Sequence, residues 1–143
     1  ADDGVALIHT MGRFGGPGRT DKFMLKYIFP GGYLPALSEI IAASEQEKLI
    51  MADCETWRLH YVYTLTEWYE RYKSNRARIV GMYDERFYRL WQFYLAVSMT
   101  LFRDAAMGVY QLQYMRRRDA VPITRDYMFE AEAQLRGVAA ASL

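Results

Sequence analysis

The chain has 143 residues, 52% of them hydrophobic and 15% aromatic, so a single packed domain is expected and a disordered chain is excluded. Eighteen basic against 17 acidic residues leave a formal charge of +1, too little for a protein that coats nucleic acid, although Arg116, Arg117 and Arg118 form a local basic spot. One cysteine, Cys54, excludes an internal disulfide and fits a reducing compartment, and no apolar run approaches the roughly 20 residues of a membrane span or resembles a signal peptide.

Val5 to Thr10 is apolar and partly β-branched and reads as a buried strand. Gly12 to Gly18 is loop by composition. Asp21 to Phe29 is expected to form a short helix with Phe23, Tyr27 and either Met24 or Ile28 inward, stopped by Pro30-Gly31-Gly32. Pro35 to Gln46 reads as a helix opened by Pro35 or Ser38, and Lys48 to Glu55 as a strand. Thr64 and Glu67 have capping-box spacing ahead of the stripe Leu65, Trp68, Tyr69 and Tyr72. A longer stripe, Phe87, Leu90, Trp91, Tyr94, Leu95, Ser98 and Phe102, gives the strongest helix signal in the chain. Val109 to Met115 alternates as a strand, and Thr124 to Arg136 reads as a terminal helix after Pro122. The order strand, helices, strand, helices, strand predicts an α/β chain with a helical excursion. The division expected is 1–120 as one body and 121–143 as a helical tail.

The glycine loop "GRFGGPGRT" has neither the lysine of a P-loop nor the spacing of a dinucleotide fingerprint, so it reads as a connector. His9 stands at a strand end, where open α/β sheets bind ligands, and imidazole suits proton chemistry near neutral pH; the alternative is an ordinary core histidine. His60 reads as a surface or packing residue in a linker. Two distant histidines and one cysteine make no metal set. Tyr94 is a core aromatic by its stripe, but its phenol needs a hydrogen-bond partner once buried. Cys54 has no neighbour that would lower its pKa and is not expected to be a nucleophile. No Ser-His-Asp arrangement assembles locally. The residues alone support an aromatic-lined α/β domain suited to an apolar ligand.

Four ordered blocks, "LIHTMGR", "KYIFPGGYLPALSEI", "LHYVYTLTEWYERY" and "YDERFYRLWQFYLAVSMTLFR", carry a resemblance to the C-terminal part of the cyclopropane-fatty-acyl-phospholipid synthase and mycolic acid cyclopropane synthase family. It covers Val5 to about Thr124. The resemblance implies the C-terminal portion of a Rossmann-like class I methyltransferase sheet, with a largely helical cover over a lipid site. It implies methyl transfer from S-adenosylmethionine to a cis double bond of a phospholipid acyl chain, followed by proton loss and closure of a three-membered ring. A bicarbonate in the active site is the implied proton acceptor. His9 and Tyr94 match the family residues that hold it, and Met11 stands where a main-chain contact is expected and where relatives carry isoleucine. The aromatic helices Thr64 to Tyr72 and Phe87 to Phe102 would wall an acyl channel.

The family's donor-binding glycine motif and acidic ribose-binding residue would fall before position 1. On this reading the chain is a segment, whether truncated, proteolytic or stand-alone, inactive by itself and binding neither S-adenosylmethionine nor bicarbonate tightly. Its open strand edges would favour a homo-oligomer or strand-exchanged dimer. The expected setting is cytoplasmic, at the inner face of the membrane, with transient contact to the lipid surface and no nucleic-acid partner. The rivals are a related lipid methyltransferase without ring closure, and a non-catalytic module that binds lipid or a partner protein.

Overall fold

The structure, a computed structural model, describes residues 3–104 and 107–141; the first two residues of the opening "ADDG" and the last two of the alanine-rich end lie outside them. Three strands, β1 (Val5–Arg13), β2 (Ile50–Trp57) and β3 (Met107–Met115), form a sheet in the order β1-β3-β2. Both pairings are antiparallel, so β1 and β2 run in the same direction with β3 between them. The reason lies in the chain between β2 and β3. Helix α2 (His60–Ser74) leaves the sheet, the short α3 (Arg76–Met82) turns the corner, and α4 (Glu85–Arg103) returns. The chain re-enters where it left, with Trp57 opposite Val109, so β3 must run back along β2.

Helices cover both faces. On one, Val109 packs with Leu65 of α2 and with Leu95 and Phe102 of α4, joined by the half-buried Met11, Trp57, Tyr61 and Tyr94. On the other, Tyr110, Leu112 and Tyr114 meet Leu37 and Ile40 of α1 (Leu37–Gln46). Alternate residues of β3 thus feed two cores, which is why Val109, Tyr110, Leu112 and Tyr114 are all buried.

Several boundaries differ from the sequence expectation. β1 continues into the expected loop as far as Arg13, where Gly12 permits close packing. A Cβ on Gly12 would lie 2.6 Å from the Tyr110 ring and 2.9 Å from the Pro35 carbonyl oxygen. The segment expected as a helix over Asp21 to Phe29 is one wide turn, Met24–Ile28, in which the Phe29 N–H donates to the Met24 carbonyl at 2.8 Å. The wider turn carries Tyr27 outward, to 44% exposure, and it is not an inward residue. Helix α1 starts at Leu37, opened by neither Pro35 nor Ser38: the Ala36 N–H donates to the Glu39 carboxylate at 2.8 Å. Helix α2 begins at His60, so Thr64 is interior and caps nothing, because Tyr61 and Val62 already pack on the Leu65 core. Tyr88, outside the expected α4 stripe, is buried, with its ring stacked 5.0 Å from Tyr72. The terminal helix α5 spans Asp126–Ala141. It is tied to the sheet by Arg125, which pairs with Asp53 at 2.9 Å, and by Tyr127, whose hydroxyl donates to Gln113 at 2.8 Å.

Candidate functional site

His9 occupies β1 directly opposite Gln111 of β3, and Gln111 faces Glu55 of β2 on its other side. These three share the parity of Val109, so their side chains rise from the face that α2 and α4 cover. The His9 ring is exposed and meets the edge of Trp57, with centroids 5.7 Å apart and planes at 79°. Trp57 then meets His60, 5.2 Å away at the start of α2. His60 is exposed, a surface and packing residue as its sequence context suggests.

Met11, two residues along β1 on the same face, lies opposite Val109 and is half-buried against the same cluster. Its carbonyl accepts from the Thr10 hydroxyl at 3.0 Å.

Tyr94 reaches this cluster from α4. Its ring lies 4.9 Å from Trp91 and 5.9 Å from Phe29. Burial pushes its phenol above the ordinary value, opposed by a hydrogen bond with the buried Ser98 one turn on. Tyr94 therefore keeps its proton through the neutral range and can donate to an anion. Tyr61 of α2 stands beside it. Burial and the neighbouring Tyr94 phenol both push the Tyr61 pKa up.

His9, Met11 and Tyr94 are thus gathered on one side of the sheet. Among the described residues no hydrogen bond joins His9 to Tyr94; Trp57 and the Val109 cluster link them. Sequence reading missed Trp57, Gln111 and Tyr61. Gln111 left a signal, a polar residue in an otherwise apolar alternation, but its pairing with His9 depends on register. Cys54 is exposed as a residue, but partial desolvation of its thiol and the neighbouring Asp53 carboxylate push its pKa up, the opposite of an activated nucleophile. Among the described residues no group of three or more His, Cys, Asp and Glu side chains converges on a metal-sized site.

The donor set suits a small oxyanion. The Tyr94 hydroxyl is a protonated donor in a half-apolar setting, and the His9 ring nitrogens enter no hydrogen bond among the described residues.

Solved structures fix the fold class. The cyclopropane synthase MmaA2 from Mycobacterium tuberculosis superposes with a TM-score of 0.72 at 24% identity, over 80% of this chain and 45% of that one. The mycolic acid cyclopropane synthase CmaA1 complexed with SAH and CTAB gives 0.70 at 23% identity, over 77% and 43%. The fold is that of class I methyltransferases, a sheet with its helices. A family model described as mycolic acid cyclopropane synthetase matches residues 1–112, and the chain belongs to that family. Among curated relatives, the cyclopropane-fatty-acyl-phospholipid synthase of Escherichia coli (strain K12) is 33% identical over 80% of this chain and 30% of its own length. The tuberculostearic acid methyltransferase UfaA1 of Mycobacterium tuberculosis is 39% identical over 68% of this chain and 23% of its own length. The chain therefore spans less than a third of either relative.

Proposed function

We propose that these residues form the acyl-chain and anion-holding part of an S-adenosylmethionine-dependent lipid methyltransferase that converts a cis double bond of a phospholipid acyl chain to a cyclopropane. The observation that carries this reading is the approach of His9 on β1 and Tyr94 on α4 to one apolar, aromatic cluster on a single side of the sheet. Methyl transfer to an alkene leaves a carbocation, which needs an apolar surround, aromatic faces and a fixed base. When bound, bicarbonate supplies that base. His9 and Tyr94 would hold it by donated hydrogen bonds, with a main-chain contact at Met11. The half-buried Trp57, Trp91 and Tyr61 would exclude water around it. The methyl donor is read as bound outside these 143 residues, since the relatives extend well beyond the matched part.

The second reading, methylation without ring closure, is favoured by the name of the 39% identical relative, a tuberculostearic acid methyltransferase. The test is incubation of the protein carrying these residues together with its methyl-donor-binding part, not the 143 residues alone, with methyl-labelled S-adenosylmethionine and a cis-unsaturated phospholipid, followed by magnetic resonance of the acyl product. Ring-proton signals establish the first reading, and a labelled methyl branch or methylene the second. Absence of label from the lipid overturns both.

A further inference from the structure

From the end of α2 to the second turn of α4, residues 71–89 hold six basic side chains (Arg71, Lys73, Arg76, Arg78, Arg86, Arg89) against Asp84 and Glu85. That is an excess of four positive charges in a chain whose total is +1, so the remainder is net negative. Lys73 pairs with Glu70 and Arg76 with Glu85, whereas Arg71, Arg78, Arg86 and Arg89 form no ion pair among the described residues. At the corner between α3 and α4, amid these arginines, Met82 and Tyr83 are 63% and 61% exposed. An exposed apolar tip flanked along the chain by unpaired arginines is what an anionic lipid surface binds: the cations meet headgroup phosphates and the tip enters the acyl boundary.

A second observation connects this corner to the candidate site. Tyr83 stacks on Phe87 at 4.2 Å, Phe87 on Trp91 at 6.1 Å, and Trp91 lies 4.9 Å from Tyr94. The ladder follows α4 from an exposed ring to a half-buried one. The eleven residue steps from Tyr83 to Tyr94 span on the order of 16 Å at the α-helical rise, close to one leaflet of a hydrocarbon core about 30 Å thick. A groove of about 390 Å³, lined by Trp68, Ile79, Trp91, Leu95 and Arg71, runs beside it.

We propose that the α3–α4 corner docks on an anionic phospholipid bilayer, and that the Tyr83–Phe87–Trp91–Tyr94 ladder is the track along which one acyl chain leaves the leaflet and reaches the site. The docking half stands on charge and exposure alone. The track half rests on the functional reading of Tyr94.

The test is sedimentation of the full chain with phosphatidylglycerol–phosphatidylcholine vesicles and with phosphatidylcholine vesicles, neither of which requires turnover. Binding is expected to the anionic vesicles only and to weaken with added salt. The pair Arg86→Glu and Arg89→Glu should lower it at least tenfold, and Met82→Asp should lower it with the helix signal in circular dichroism retained. The pair Arg116→Glu and Arg118→Glu makes the same change of net charge elsewhere and should leave binding within about twofold. Equal losses from the two pairs, or no loss from the α4 pair, overturn the docking. For the track, in a Trp68→Phe background that removes the other groove tryptophan, phospholipids brominated along the acyl chain should quench tryptophan fluorescence, and Trp91→Phe should remove most of that quenching. Quenching that persists in Trp91→Phe overturns the track while leaving both docking and the methyltransferase reading standing.

Discussion

The edge of Trp57 supports the face of the sheet on which His9 stands, with ring centroids 5.7 Å apart and planes at 79°. Trp57 closes β2 and joins the Val109 cluster, so it fixes His9 relative to the helices as well as to its own sheet. Trp57→Ala should cost about 2–4 kcal/mol, at and below the lower end of the range for aromatic truncation because the indole is half-buried. Trp57→Phe should recover more than half of that. Denaturant unfolding of the two variants checks it. Equal losses would mean that the ring does not pack as described.

Gly12 lets β1 pass beneath Tyr110. A methyl there would meet the Tyr110 ring at 2.6 Å and the Pro35 carbonyl at 2.9 Å, and one of these is backbone. Gly12→Ala is expected to destabilise by roughly 1–3 kcal/mol through overpacking. Gly16→Ala, where nothing lies within 4 Å, should stay near wild type. Thermal melts of the pair test the distinction.

The fold was largely legible where periodicity is strong. Leu65 to Tyr72, the stripe ending at Phe102, and the alternation of Val109 to Met115 all became the elements they suggested. Tertiary contact overrode local signals elsewhere. Tyr61 and Val62 extend α2 past the Thr64 capping signal, and Lys48 takes φ 55° at the end of α1, delaying β2 to Ile50. The site was legible only in part. His9 drew notice by its expected place at a strand end, but β1 runs on to Arg13 and leaves it mid-strand; Tyr94 stood out only through the family blocks, since its stripe does not separate it from core residues. Trp57 and Gln111 are set by strand register, which no local pattern encodes.

Val5, Leu7 and Ile8 of the edge strand β1 are 44%, 64% and 43% exposed, with side chains on both faces. An apolar edge exposed in this way pairs with another strand. The 143-residue chain alone should associate as its concentration rises, and Leu7→Lys with Ile8→Lys should suppress it. Light scattering reads the outcome. A monomer at all concentrations would contradict it.

The alkaline limb of stability should report on Tyr94. Its folded pKa is raised above the ordinary 10.0 by burial, so the native state holds the proton more tightly than the unfolded chain. That contribution is full below about pH 10 and is lost as pH rises through the higher folded value. Tyr94→Phe should flatten part of this decline. Tyr61, Tyr72 and Tyr110 are raised as well and keep the rest of it. An unchanged alkaline profile in Tyr94→Phe would place its hydroxyl in solvent.

The most direct test of a shared His9–Tyr94 site is turnover of the protein with its methyl-donor-binding part, carrying His9→Ala, Tyr94→Phe and both, with melting temperature measured on each sample. A hydrogen bond to an anion is worth roughly 1.5–3 kcal/mol, so each single change should lower turnover about tenfold to a hundredfold and leave folding intact. The double variant should lose less than the product of the two, because both remove support from one anion. Added bicarbonate should restore part of the activity. Near-normal turnover in Tyr94→Phe at every bicarbonate concentration, with melting temperatures lowered additively, would contradict the account and make both residues packing alone.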